Sequence, residues 1–184
     1  LDYVQKPFTE DELVEFTKKC LIRRHDRIEK QIKPVVRVVT TERPHEHEFV
    51  LPGGVFISPG HVWANVTVPG LVRVGVDDFA RKMIGRIDAI QLPDQGREVQ
   101  KGEPLFYIHQ DGRKAAFKSP ITGRVHLVNA DLAHNLAWLE KQPYDKGWIC
   151  SLKPLQLAEE LEQLKIGEKA AAWYRQEIQR VRQL

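Results

Sequence analysis

The stretch "VRVGVDDFARKMIGRIDAIQLPDQG", Val72 to Gly96, carries the pattern that sets the fold. Val72 to Val76 is a β-branched run broken by Arg and Gly, which predicts a short strand. "DDFARKM", Asp77 to Met83, fits a single helical turn with Asp77 as its N-cap, because a carboxylate there accepts from an otherwise orphaned backbone N–H. "IDAI" returns to strand texture. "LPDQG" is a turn sequence whose final glycine can take a positive φ.

The same texture extends outward from Phe49 to Lys153. "FVLPGG", "SPGHVWANVTVPG", "PLFYIHQDG", "SPITGRVHLVNA" and "DKGWICSLKP" are short apolar runs punctuated by Gly, Pro and Asp. Strands this short, with turn signals at this rate, predict a compact all-β sandwich or barrel. In "IHQDGRKAAFKSP", Asp111-Gly112 predicts a two-residue hairpin turn between apolar arms, since a type I′ turn needs φ > 0 at both central residues. Asp131 to Lys141 predicts a second short helix. After Pro154 the period becomes helical, with Leu157, Leu161 and Leu164 on one face. Gly167 breaks the pattern, and Ala170 to Leu184 resumes it.

Before Phe49 the chain differs. Thr9-Glu10-Asp11-Glu12 fits a capping box, and Leu13, Phe16, Cys20, Leu21, Ile28 and Ile32 follow at helical spacing until Pro34. Lys18 to Lys33 is strongly basic, which suits an anionic membrane surface, while the Leu13/Phe16/Cys20/Leu21 stripe suits a partner, a second copy of the chain or the helix's own β-domain. Val35 to Val39 reads as a strand, and "TERPHEHE", Thr41 to Glu48, as a linker. The plan is therefore residues 1–48 as a helical extension and linker, 49–153 as the β-domain, and 154–184 as C-terminal helices.

Composition narrows the function. A 42% hydrophobic and 29% charged chain is of ordinary globular type, and a net charge of +3 is too mild to argue for nucleic acid. Cys20 and Cys150 form no paired motif, so a reducing cytoplasmic setting is expected. No run approaches the roughly 20 apolar residues of a membrane span. No signal peptide is expected, and the start at Leu1 suggests that an N-terminal piece precedes the chain.

The central region resembles the H protein of the glycine cleavage system, a lipoyl-carrying family of the biotinyl/lipoyl-attachment fold. "GHVWANV" is similar to the family's His-x-Trp strand. "VRVGVDDFARKMIGRIDAIQLPDQG" resembles its Val-Gly-Ile-Thr-Asp-(Phe/Tyr)-Ala segment and the Leu-Pro-x-x-Gly turn that follows. "VQKGEPL", "SPITGRVHLVN", "PYDKGWICSLKP" and "PLQLAEELEQL" match later segments in the family's order. The likeness covers roughly residues 50 to 175. It implies a mainly β, lipoyl-domain-like barrel-sandwich hybrid followed by C-terminal helices; the N-terminal helical extension read from the residues has no counterpart in the family and is an added feature. Trp63, Tyr144, Trp148 and the glycines are expected to be scaffold.

In that family a lysine at the hairpin tip carries lipoate, eight residues before the Pro of a Ser-Pro turn. Counting back eight from Pro120 reaches Gly112, and counting forward from Glu103 reaches it again without a gap. The resemblance thus implies that glycine stands at the lipoyl-equivalent position, in a tip made of His109, Gln110, Asp111 and Arg113. Glycine has no amine to acylate. Lys114 is the alternative attachment site, because "KAA" resembles the sequence after the usual lysine and a shift of two keeps the strand face. Lys118 is less well placed.

The expectation that follows is a non-enzymatic, non-lipoylated protein-interaction or scaffold module with no cofactor. Its partner would be a protein that recognises the H fold, or a membrane-associated assembly reached through Lys18 to Lys33. The alternative is a lipoyl-dependent aminomethyl or acyl carrier modified at Lys114. A third option is metal binding by His45 and His47, completed by His61 or His109, against a plain His-Glu linker. No Ser-His-Asp elbow, phosphate loop or HExxH motif is present, and Asp77, Asp78 and Asp88 read as caps and surface.

Overall fold

The computed structural model of the chain describes residues 35–38, 48–68 and 70–182, all within the compact unit Val35–Leu184. The Thr9 capping box, the basic Lys18 to Lys33 run, His45 and His47 lie outside the described residues.

Eleven strands are described: β1 (Val35–Val38), β2 (Phe49–Pro52), β3 (Phe56–Ile57), β4 (Val62–Val66), β5 (Val72–Val76), β6 (Ala89–Gln91), β7 (Glu98–Val99), β8 (Pro104–Gln110), β9 (Arg113–Lys118), β10 (Gly123–Val128) and β11 (Cys150–Pro154). The helices are α1 (Asp78–Ile84), a 3-10 turn at Ala130–Ala133, α2 (Ala137–Lys141), α3 (Leu157–Glu162) and α4 (Gly167–Arg182). One sheet runs β3-β4-β5-β11-β10-β7, a second β6-β8-β9, and β1 pairs with β2. All pairings are antiparallel. This is the mainly β architecture the sequence implied.

The main core lies between the two larger sheets. Val72, Val74, Val125 and Leu152 from one meet Leu105, Phe106, Ile108 and Phe117 from the other, and the Phe106 and Phe117 rings stack at 5.1 Å. Alternation along β4 then feeds a second core. Val62 and Ala64 face the first, whereas Trp63 joins Phe49, Leu51, Val55, Ile57, Phe79, Ala170, Ala171 and Tyr174. Both clusters are buried, and full burial contributes about 1.5–3 kcal/mol per large apolar side chain. Trp63 is 2% exposed and donates its indole N–H to the Pro143 carbonyl at 3.1 Å. Gly75 lies under that ring: a Cβ there would sit 2.7 Å from it.

Two helix expectations change. Asp131 to Lys141 is not one helix, because the Asn135 side chain donates to the Asp131 carbonyl and so competes for the acceptor that a continuous helix would use. The final helix begins at Gly167 (φ 57°) rather than at Ala170. The break before it comes from tertiary pairing: Lys165 and Ile57 exchange backbone hydrogen bonds of 2.9 and 2.7 Å, which holds the chain extended between α3 and α4.

Candidate functional site

The β8–β9 hairpin closes as Asp111-Gly112 predicts. Asp111 has φ 47° and Gly112 φ 73°, and Gln110 faces Arg113 across the turn while His109 faces Lys114. The positive φ at both central positions matches the twist of the strands and selects Asp-Gly over most pairs. Among the described residues nothing lies within 4 Å of where a Gly112 side chain would start, and Asp111, Gly112 and Arg113 are all exposed.

One feature of the tip was not legible in the sequence. Asp88 Oδ2 accepts a hydrogen bond from the Asp111 backbone N–H at 2.7 Å, and the Asp88 N–H donates to the His109 carbonyl at 3.0 Å. Asp88 is therefore no idle surface acid. Its carboxylate fastens the turn to the segment between α1 and β6. A residue twenty-three positions away in sequence carries no local signal of that contact.

Lys114 is exposed on β9, with its ammonium 3.9 Å from the centre of the Tyr107 ring. A cation over an aromatic face gains about 0.5–1 kcal/mol at an exposed site. His109, Gln110, Asp111, Gly112, Arg113 and Lys114 thus form one solvent-facing group, with the amine lying on the strand and the turn itself bearing none.

A second polar group surrounds Asp77. Asp77 caps α1 as expected, its Oδ1 accepting from Ala80 N–H at 2.8 Å. Both acids of the pair are nevertheless buried, Asp77 at 0% and Asp78 at 4% exposure, which corrects the surface assignment. Burial is tolerated because each oxygen is paired. His61 Nδ1 donates to Asp77 Oδ2 at 2.8 Å. Val50 N–H donates to Asp78 Oδ2 at 2.9 Å, and Arg81 and Lys82 reach Asp78 at 2.8 and 2.9 Å. The Asp78 N–H donates to the Tyr144 hydroxyl, which in turn donates to the Val50 carbonyl.

His61 is sandwiched between Phe79 at 4.6 Å and Trp173 at 4.9 Å. Burial pushes the Tyr144 phenol well above its ordinary range, reinforced by the Asp77 charge, and Tyr174 moves the same way for the same reasons. Burial alone pushes the Cys150 thiol up to about 12, so it is an inert core thiol. His61 is committed to Asp77, and among the described residues no group of three His, Cys, Asp or Glu side chains is arranged to hold a metal ion. No helix among them is long and apolar enough to cross a membrane.

The chain matches a known family. Residues 56–177 match the family model described as glycine cleavage H-protein. The chain belongs to the glycine cleavage H-protein family. It is 36% identical over 124 residues to a probable glycine cleavage system H protein of Pyrococcus abyssi, covering 67% of this chain and 92% of that one. It is 32% identical over 103 residues to a glycine cleavage system H protein of Mycolicibacterium vanbaalenii, covering 56% and 79%. Among solved structures, a glycine cleavage system H protein from Mycobacterium marinum superposes with a TM-score of 0.53 at 27% identity, covering 61% of this chain and 98% of that one. H proteins are lipoyl carriers and not catalysts, so this chain is a non-enzymatic member of a carrier family. β1, β2 and Val55 of the second core precede the matched residues, and α4 continues beyond them.

Proposed function

We propose that this H-protein-like chain is a non-lipoylated protein-interaction module, with Gly112 at the position where the family attaches lipoate. The observation that carries the reading is the tip itself. A lipoyl amide needs a lysine amine on a free turn, whereas here the turn is an Asp-Gly pair with both residues at positive φ and with Asp88 tied to its backbone. Glycine offers no amine for the lipoyl amide, so the group has no attachment point at residue 112; a lysine there would carry a strain of only about 1 kcal/mol in the left-handed region.

Residues 49–153 would carry the module, with 1–48 as an extension and 154–184 as added helices. The partner would be a protein that recognises the H fold, of glycine-cleavage type, in the cytoplasm. The basic stretch Lys18 to Lys33 would supply a second contact, to that partner or to an anionic membrane. Equal co-sedimentation with anionic liposomes by the full chain and by residues 35–184 would sink the membrane part.

Lys114 supports a second reading, as a lipoyl-dependent aminomethyl or acyl carrier, because its amine is exposed two residues beyond the turn. Intact mass after co-expression with a lipoate ligase separates the two. No lipoyl increment is expected for the native sequence, and an increment is expected for Gly112→Lys, which restores an amine to the tip. A native increment that vanishes in Lys114→Ala would overturn the proposal in favour of the carrier.

A further inference from the structure

The β6-β8-β9 sheet ends on β9, and no other described strand pairs with its outer side. The direction of its free backbone groups can be read from its neighbour. The His109 carbonyl accepts from Asp88 N–H, so the polar groups of His109 face β6 and away from β9. Directly opposed residues of an antiparallel pair turn their groups both inward or both outward. Lys114 opposes His109, and Ala116 opposes Tyr107. The N–H and C=O of Lys114 and Ala116 therefore point out from the sheet. No loop backbone hydrogen bond among the described residues reaches either one, and Arg113 through Ala116 are all exposed.

An edge of this kind is a template for another strand. Its side chains restrict which strand. Lys114, Ala116 and Lys118 share one face at period two, and that face also holds Tyr107, over which the Lys114 ammonium rests. A second copy of β9 docking antiparallel would set lysine against lysine around a central alanine, which is unfavourable. A strand with acidic residues at the two outer places and a small apolar residue between them has the complementary pattern.

We propose that the β9 edge accepts an extended acidic segment of a partner protein as a fourth strand, with carboxylates opposite Lys114 and Lys118 and a small apolar side chain opposite Ala116. This rests on the reading of the chain as an interaction module. The test uses the full chain carrying Lys114→Arg, which keeps the charge and cannot be lipoylated. The probe is the capped peptide Thr-Glu-Thr-Val-Thr-Glu-Thr, with a control in which both Glu are Lys.

The acidic peptide is expected to bind, the control to fail, and hydrogen exchange of the amides at positions 114 and 116 to slow at least about tenfold at saturation. Ala116→Pro removes one outward N–H on an edge strand that tolerates proline, and about a tenfold loss of affinity is expected. Absence of binding, or binding that leaves both amides unprotected, overturns the proposal. Protection that rises with protein concentration without peptide also overturns it, assigning the edge to a second copy. The exchange measurement does not depend on how the proline variant folds. Lipoylation of native Lys114 would sink the non-carrier reading while leaving this result on the Lys114→Arg chain to stand or fall by itself.

Discussion

At the β8–β9 tip, no described residue lies within 4 Å of the place a Gly112 Cβ would occupy; under α4, the Trp63 indole lies 2.7 Å from the place a Gly75 Cβ would occupy. Two glycines in one small protein thus answer to different forces. Gly112 is there for its dihedral angles, as turn chemistry demands, and its surroundings impose no packing. Gly75 has no positive φ to explain it and exists to let a tryptophan approach the backbone. The contrast extends to the polar groups. Asp88 and Asp111 meet at the exposed tip, whereas Asp77 is fully buried beside His61, with Tyr144 and Tyr174 raised by the same burial. A protein can rewrite the first kind of region at little cost. The second kind resists change.

Stability measurements sharpen that contrast. Trp63→Ala should cost the most, about 3–5 kcal/mol in urea unfolding, since it empties the centre of the second core and leaves the Pro143 carbonyl without its donor. A loss under 1 kcal/mol would mean the node is looser than its geometry.

Alkaline titration comes next. Tyr144 and Tyr174 have folded pKa values above the ordinary 10.0, so above about pH 10 the unfolded chain sheds protons that the folded one keeps. The folded state binds more protons there, and stability falls as pH rises, by up to about 1.4 kcal/mol per pH unit for each phenol. Below pH 10 their contribution is fully present. Absorbance at 295 nm should show two phenols ionising only as the chain unfolds; smooth ionisation of all four tyrosines in the native protein would break the assignment.

At the tip, Gly112→Ala should cost about 1 kcal/mol, from φ 73° alone. A cost approaching that of Trp63→Ala would erase the distinction between the regions. The smallest effect belongs to Arg124→Ala. Its ion pair with Glu98 joins side chains 62% and 70% exposed, and such pairs contribute about 0–1 kcal/mol, screened by salt. The unfolding midpoint should barely move.

Much of the site was legible because its signals are local. Asp111-Gly112 specifies its own turn, Asp77 caps α1 through a carboxylate three residues from its donor, and Ser119-Pro120 marks the return of the hairpin. The burial of Asp77 and Asp78 was not legible. Acids in a capping position are usually solvated, and here Tyr144, Val50 and His61, brought from elsewhere in the chain, help enclose them. The restart of the last helix at Gly167 had the same origin, since the Ile57–Lys165 bridge holds the chain extended just before it.

By itself, then, the sequence determined the family, the strand-and-turn texture, the closing turn of the hairpin and the absence of an amine at residue 112. Each follows from spacing, side-chain chemistry or φ preferences that act within a few residues. Only the tertiary structure decided that Asp88 anchors the tip, that Asp77 and Asp78 lie in a polar node under α4, and that Lys114 and Ala116 turn their backbone groups off the sheet edge. Those facts depend on which distant segments meet, and desolvation and strand pairing arise only after they have met.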